Sequence, residues 1–477
     1  MACVCAWFIA SVSIDAVGAQ ERVSPASALQ NAGTGDRIEA ERPVAGRPPG
    51  WVPSAATGVE VASADGLDWQ QAVRTAVLRY PAIAGARAAI EQQVSLVSAA
   101  RAGYLPRVQA EVTSGQQGEF GTGQVATVGL SQMLYDFGKT RSAVQRERAA
   151  ERRERAELLL AIDEVIEQAT HALIEIHRHQ ALEETYVAQI EALSRVEEIT
   201  RLRAEAGAAT RSDPLQARTR VEAVEAKLSA ARSQIRQWRS RLEIYIGEDA
   251  ARPLTQGPGR LLEWPALEVD VDRLPVMLAA QAQRGEAEAA MRQARAQRYP
   301  TISLEASANH RLGDAGERHQ QLYGRRTYSN ALVAVRSDLY QGGAVAAQAR
   351  ASASALEVAD EMLRAERLLA LDALRGHRER IAGLVDRVGL LERRATSIVE
   401  TRALYWDQYL ELGTRNVLDL LNAEQEIGQS AEDLETARHD LWRARLDYLL
   451  ASGTARAAFD VDVPGDDAGH DPIGVTP

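Results

Sequence analysis

The sequence predicts a mainly α-helical protein with membrane β-strands, built from long helical hairpins and four strands per chain. Three observations predict this fold: the chain is internally duplicated, each copy contains two alternating strands of membrane length, and each copy contains a very long helix. Aromatic residues make up only 5% of the 477 residues, while Ala, Leu, Arg and Glu are abundant. This composition is typical of long packed helices.

The duplication is visible in four landmarks that recur in the same order. YP at 80–81 matches LP at 274–275, RAGYLP at 101–106 matches RAQRYP at 295–300, LYDFG at 134–138 matches LYQGG at 339–343, and GAATRSD at 207–213 matches GTRNVLD at 413–419. Each copy is therefore one structural unit, and the two units pack as pseudo-equivalents. We place the first repeat at 66–260 and the second at 261–453.

The two ends of the chain lie outside the repeats. Residues 1–19 are apolar, contain both cysteines and end in small residues, as a secretory signal peptide does. Residues 20–65 are rich in Pro, Gly and Ala and predict a flexible arm. Residues 454–477 are acidic and contain Gly and Pro, which predicts a disordered tail.

Each repeat contains two stretches in which polar and apolar residues alternate. In the first repeat they are Arg107–Thr113 and Val125–Tyr135. In the second, residues 301–309 alternate, and the partner strand carries Ala331, Val333, Val335 and Leu339 on one face. Each stretch has about the length of a tilted strand that crosses a bilayer, roughly 9–11 residues.

Helical periodicity begins near Leu67, restarts at Pro81, and after each strand pair runs without Pro over about 138–206 and 343–412. Each of these two long helices would measure roughly 100 Å at 1.5 Å per residue. A return helix and the helix that precedes the strands each have about half this length. We therefore expect them to stack end to end beside the long helix.

Both long helices are predicted to end in short turns. Gly207 and Gly413 stand where a helix ends in left-handed backbone. We expect the return helices to start at capping residues, Ser212 with Asp213 in the first repeat and Asn416 in the second.

Four strands cannot close a barrel, and lipid tolerates no open sheet edge. Outer-membrane barrels begin at eight strands. Strands that cross a membrane therefore require oligomerisation, with eight strands from two copies or twelve from three. The alternative is a soluble helical protein with two exposed hairpins, which does not account for matched strands of membrane length behind an export signal.

These features resemble the TolC family of outer-membrane efflux channels, over about residues 66–453. The strand–helix corners and the helix turns carry the resemblance. The corner residues are Tyr135, Asp136, Gly138, Tyr340, Gly342 and Gly343, and the turn residues are Gly207, Asp213, Gly413 and Thr414. The resemblance implies a homotrimer, with a 12-stranded β-barrel in the lipid of the cell outer membrane and a helical tunnel in the periplasm.

The resemblance also implies a passive conduit without cofactors. Such channels dock through their helix turns onto a periplasmic adaptor (membrane fusion) protein and an inner-membrane transporter. A periplasmic gate is implied at Arg415, Asp419 and Asn422, where Asn422 replaces a second gate aspartate of the family. Leu410 occupies the family's gate-tyrosine position, and Tyr409 lies next to it. The alternative interpretation of Arg415 and Asp419 is a solvated polar turn.

Other classes of function have little support in the sequence. A net charge of −11 argues against nucleic acid as a partner. No pattern of a phosphate-binding loop, nucleophile elbow or acid/base pair occurs, so we expect no enzyme. His171, Glu175 and His179 have the spacing of a metal site on one helix face, but we interpret them as surface residues and expect no metal.

The favoured function is the outer-membrane channel of a type I secretion system. It would export a protein toxin or adhesin with an ABC transporter and an adaptor, because the YDFGKTR corner at 135–141 resembles that branch of the family. An RTX adenylate cyclase-haemolysin is one specific candidate for the cargo. The alternatives are the outer component of a multidrug or metal efflux pump and a soluble periplasmic coiled-coil scaffold.

Overall fold

The computed structural model describes residues 66–116, 122–254, 257–262, 269–312, 327–410 and 415–461. The predicted signal peptide, the whole predicted arm and most of the predicted tail lie outside these ranges. The α-helices among the described residues are α1 Trp69–Arg79, α2 Pro81–Arg101, α3 Lys139–Glu205, α4 Ser212–Ile246, α5 Pro275–Ala296, α6 Ala344–Leu410, α7 Val417–Ala451 and α8 Ala455–Ala458. The strands are β1 Arg107–Gln116, β2 Thr122–Tyr135, β3 Thr301–Leu312 and β4 Thr327–Arg336.

The four strands form one antiparallel sheet in the order β1-β2-β3-β4. The register pairs Val108 with Leu130, Leu130 with Ala306, and Ala306 with Ala331. Because side chains alternate between faces along a strand, these pairs place most apolar residues of the four strands on one face. The opposite face carries polar residues such as Glu305.

The apolar face is exposed within one chain. Val108, Val112, Val128 and Val333 are each more than half exposed. A face of this extent is typical of a surface that contacts lipid or another protein. β1 and β4 are edge strands, so the sheet of a single chain is open on both sides.

The prediction for the last strand was wrong at its end. Leu339 was assigned to the apolar face of this strand, but β4 ends at Arg336 and Leu339 is 95% exposed beyond it. The alternation in the sequence continues past Arg336, the last residue of β4 that pairs with β3, where it lies opposite Thr301. Pairing, which the pattern does not report, decides where the strand ends.

Both long helices are present and each spans 67 residues. α3 packs against α2 and α4 of its own repeat and against α5 and α7 of the second repeat, while α6 packs against α5 and α7. Gln93 of α2 donates to Glu147 near the start of α3 at 2.8 Å, and Arg232 of α4 donates to Glu183 farther along at 2.7 Å. The predicted arrangement of two shorter helices along one long helix is thus confirmed for α3.

The largest apolar cluster surrounds the middle of α3. It joins α1 and the ends of α4 and α7, and it contains Trp69 and Phe459 with at most 1% exposure. None of the described helices is both long enough and apolar enough to cross a membrane.

The prediction that disorder begins at residue 454 was wrong for the first part of the tail. α8 spans Ala455–Ala458, Phe459 is fully buried, and Arg456 forms an ion pair with Asp163 of α3. Burial of the Phe459 ring in the main apolar cluster stabilises the docked segment, although the tail as a whole is rich in polar residues. Residues 462–477 lie outside the described part of the chain.

Candidate functional site

The first strand–helix corner is organised by the carboxylate of Asp136, which is 7% exposed. Its two oxygens accept hydrogen bonds from the N–H of Gly138 at 3.0 Å and of Thr140 at 2.6 Å. Burial acts to raise the pKa of Asp136, but hydrogen bonds from Thr140 and Gly138 and the charge of Lys139 hold the pKa below its ordinary value. The carboxylate thereby satisfies N–H groups at the start of α3 that lack a partner in the helix.

Aromatic rings support the same corner. Phe137 has left-handed backbone, with φ of 56°, which is unfavourable for a residue with a β-carbon. Its ring stacks on Tyr299 at 5.1 Å and meets Tyr135 edge-on at 4.7 Å. We infer that these ring contacts offset the backbone strain.

The second corner is built differently. Gly342 and Gly343 adopt φ of 61° and 86°, so glycine supplies the left-handed backbone that Phe137 adopts under strain in the first corner. Tyr340 is 86% exposed. Both corners contain two consecutive residues with left-handed backbone, but they differ in how tightly their side chains are packed.

The first helix turn follows α3. Gly207 has φ of 74°, and the N–H of Ala208 donates to Arg203 O at 2.7 Å, which confirms the predicted left-handed helix end. The prediction of a Ser212 cap was wrong, because α4 begins at Ser212 itself without a side-chain cap. Asp213 instead accepts a hydrogen bond from the N–H of Thr210 at 3.3 Å.

The second turn contains two of the three predicted gate residues in contact. Asn416 caps α7 as predicted, accepting from the N–H of Asp419 at 2.9 Å. Arg415 Nη1 donates to Asp419 Oδ2 at 3.2 Å, and both side chains are partly exposed, at 40% and 35%. Asn422 is exposed one turn further along α7. Gly413 and Thr414 lie outside the described residues.

Two residues that contact Arg415 were not found from the sequence. The Arg415 guanidinium lies 4.5 Å from the ring centroid of Tyr405, and its Nε donates to Gln408 Oε1 at 3.0 Å. Tyr405 and Gln408 lie one turn apart on α6, so helical spacing is the only signal that could have found them. They hold Arg415 against its own chain.

Tyr409, next to the family's gate position, does not share this exposed site. It is 5% exposed, and the Arg203 guanidinium lies 4.6 Å from its ring centroid and donates to its backbone oxygen at 3.1 Å. Tyr409 therefore joins the ends of the two long helices instead of lining an opening.

The sequence of this chain matches the model of one known protein family. The model of the family described as outer membrane efflux protein matches residues 72–248 and 271–454. The chain belongs to this family. The predicted resemblance to TolC-type outer-membrane channels is confirmed.

A curated relative and solved structures agree with this assignment. The outer membrane efflux protein BepC of Brucella suis biovar 1 (strain 1330) is 24% identical over 393 residues, covering 78% of this chain and 82% of BepC. The CusC structure matches with a TM-score of 0.70 at 16% identity, covering 82% of this chain and 95% of CusC. The outer membrane protein VceC of Vibrio cholerae matches with a TM-score of 0.69 at 20% identity, covering 81% and 96%.

These similarities confirm the predicted fold class. The long helices of this outer membrane efflux protein correspond to a periplasmic tunnel, and its four strands correspond to the strands that contribute to a barrel in the outer membrane. The protein is therefore an outer-membrane efflux channel.

The histidines that suggested a metal site are arranged differently from the prediction. The Nε2 atoms of His171 and His179 lie 3.6 and 3.9 Å from the Glu175 carboxylate. Glu175 is buried and Arg178 lies 3.5 Å from it. The interpretation as surface residues was wrong for Glu175, because neighbouring helices cover this part of α3, whereas His171 and His179 are partly exposed. Among the described residues, no group of three or more His, Cys, Asp or Glu could hold a metal ion.

A pair of histidines joins α3 to α7 nearby in this efflux protein. His177 Nδ1 lies 2.9 Å from His439 Nε2, and His439 Nδ1 lies 2.6 Å from Glu435 O. Trp442 packs edge-on against both imidazoles. Burial lowers the pKa of His439 to about 4 and also lowers the pKa of His177. Both rings are therefore neutral at pH 7.

Proposed function

We propose that this chain assembles as a homotrimer and serves as the passive outer-membrane conduit of a type I secretion system. The corner at 135–141 carries the proposal, since its sequence resembles the secretion branch of the family. Two residues of this motif have structural roles. Asp136 accepts hydrogen bonds from two backbone N–H groups, and Lys139 Nζ donates to Thr301 Oγ1 at 2.9 Å, which links the corner to β3.

The open sheet supports the trimer. Each chain offers four strands with unpaired edges at β1 and β4, and unpaired backbone groups are strongly unfavourable in lipid. Three chains would pair β4 of one with β1 of the next and close a 12-stranded barrel. α6 exposes apolar residues such as Leu368 and Leu369, at 69% and 61%, which a neighbouring chain would cover.

We place the constriction of the conduit at the second turn, with Arg415, Asp419 and Asn422. Asp419 is partly exposed and Arg415 is held by Tyr405 and Gln408 of its own chain. Movement of α6 relative to α7 would break the contacts of Arg415 with Tyr405 and Gln408. The turns near Gly207 and Asp213, and near Gly413 and Thr414, are the proposed docking surface for a periplasmic adaptor, which links the channel to an inner-membrane ABC transporter.

Deletion of the gene tests the cargo. We expect one large secreted protein to disappear from the medium, while susceptibility to drugs and metals stays unchanged. Complementation with the wild-type gene is the control and restores secretion. A deletion strain that secretes normally but becomes sensitive to small molecules contradicts the proposal.

The second candidate is the outer component of a multidrug or metal efflux pump. The description of the matching family, outer membrane efflux protein, favours it. The same deletion strain separates the two functions. Extraction from membranes only by detergent, as a trimer, would argue against the third candidate, a soluble scaffold.

A further inference from the structure

A basic cavity lies below the strands of the first repeat, where the end of α2 meets the start of α3. It has a volume of about 380 Å³ and is lined by Arg101, Tyr104, Arg141, Val144, Gln145 and Arg148. All three arginines are exposed to solvent. The volume lies in the range of pockets that bind small ligands, about 300–1,000 Å³.

The three arginines lack the acidic partners that other arginines of α3 have. Arg153 contacts Glu157 and Glu286, and Arg155 contacts Glu151. Within the described part of the chain, none of the arginines that line the cavity forms an ion pair. Arg141 also lies in the first turn of α3, where the helix dipole adds positive potential. This site favours an anion, and guanidinium groups match phosphate in geometry.

The second repeat shows that the fold does not require the charges of Arg141 and Arg148. Aligning the two corners places Ala346 opposite Arg141 and Ala353 opposite Arg148. α6 nevertheless starts after its corner as α3 does. The charges of Arg141 and Arg148 are therefore specific to the first repeat, whereas Arg101 has a counterpart in Arg295.

The start of α6, the matching helix of the second repeat, carries no carboxylate over residues 344–356. We therefore look for the partner of the cavity in an anion from outside the protein.

The position of the cavity indicates where this anion comes from. Leu105 and Val108 follow the cavity along the chain, are 65% and 66% exposed, and lead onto the apolar face of the sheet. Tyr135, at the near end of β2, is 56% exposed. Tyr side chains are enriched where a barrel meets the membrane interface.

We propose that this cavity binds the phosphate group of a membrane phospholipid, with Arg101, Arg141 and Arg148 around the phosphate and the acyl chains along the apolar face of the sheet. The bound lipid would fix the depth of the channel in the membrane. The proposal rests on the outer-membrane location and is independent of the cargo.

Native mass spectrometry of the full-length oligomer in non-ionic detergent tests the site. The probes are phosphatidylglycerol, a diacylglycerol with the same chains, inorganic phosphate and polyglutamate. We compare wild type with the double variant R141Q/R148Q and with the control R155Q/R195Q. The control removes the same charge from exposed, ion-paired arginines of the same helix.

We expect wild type and the control to bind phosphatidylglycerol and not diacylglycerol. Binding by R141Q/R148Q should be at least about tenfold weaker, because two charge-assisted hydrogen-bonding groups are lost. Circular dichroism and oligomer mass check folding. If the double variant does not fold, R141A and R148A, which copy the second repeat, take its place.

Three results would overturn the proposal. Equal phosphatidylglycerol binding by R141Q/R148Q and the control would show that the arginines are not the site. Displacement of the lipid by equimolar inorganic phosphate would indicate a site for free phosphate. Binding of polyglutamate without binding of lipid would assign the cavity to acidic segments of an exported protein.

Discussion

Replacement of His439 by Gln should remove a pH dependence of stability that the buried histidine pair creates. His439 Nδ1 donates to Glu435 O, which leaves Nε2 to accept a hydrogen bond from His177 Nδ1. A proton added at His439 Nε2 would point at the N–H of His177. Arg178 also disfavours this charge, whereas Glu175 favours it, and burial is the largest effect on the pKa.

The magnitude follows from the pKa of about 4 in the folded protein and the ordinary value of 6.5. Because the folded-state pKa is depressed, the unfolded chain takes up the proton first as the pH falls. The free energy of unfolding is therefore unaffected by protonation of His439 above pH 6.5 and falls progressively as the pH is lowered towards 4. By pH 5 the loss is about 2 kcal/mol, as an order of magnitude.

The assay is denaturant unfolding of wild type and H439Q between pH 7.5 and 5. Burial raises the pKa of Asp163 to about 6 despite its ion pair with Arg456, so this group strengthens folding as the pH falls through the same range. The titration of Asp163 occurs in both proteins. The difference between wild type and H439Q in the pH dependence of the free energy of unfolding therefore reports on His439. If both proteins lose the same free energy of unfolding between pH 7.5 and 5, the reasoning about His439 is refuted.

Three further substitutions test other parts of the structure. F459A should lower the free energy of unfolding by about 3–5 kcal/mol, because it leaves a cavity in the main apolar cluster; a change below 1 kcal/mol, measured by denaturant unfolding, would show that the C-terminal segment is not docked. D136A should lower it by about 1–2 kcal/mol through loss of the two N–H bonds at the start of α3, with D338A, outside the regular elements, as a control of smaller effect. D419A should raise single-channel conductance in planar bilayers and weaken cation preference; unchanged conductance and selectivity would reject the proposed constriction.

The fold was predictable because its signals are local and repeated. Alternating strands, uninterrupted helical periodicity and glycine at Gly207 each determine backbone structure within a few residues, and the duplication supplied a second example of each. Features that depend on distant residues were not predictable in the same way. Phe459 is buried because α1 and α3 form an apolar cluster around it, and β4 ends where β3 no longer pairs with it.

The candidate site shows the same division. The Asn416 cap and the spacing of Arg415 and Asp419 could be read within a few residues of sequence. The contact of Arg415 with Tyr405 and Gln408 could not, because it depends on how the end of α6 folds back over the start of α7. The packing of Tyr409 between α6 and α3 could not be predicted either, because it depends on Arg203 at the far end of α3.

Differences between the two repeats locate function better than their similarities do. The repeats share strands, long helices and turns, so any feature present in both is explained by the common fold. Within the described residues, the buried Asp136 corner and the arginine cavity lie in the first repeat, whereas the Arg415–Asp419 pair lies in the second. One repeat thus carries the specialised groups next to the membrane, and the other carries those at the opposite end of the long helices. A rod about 100 Å long keeps the two sets apart, so we expect substitutions in one set to leave the properties of the other unchanged.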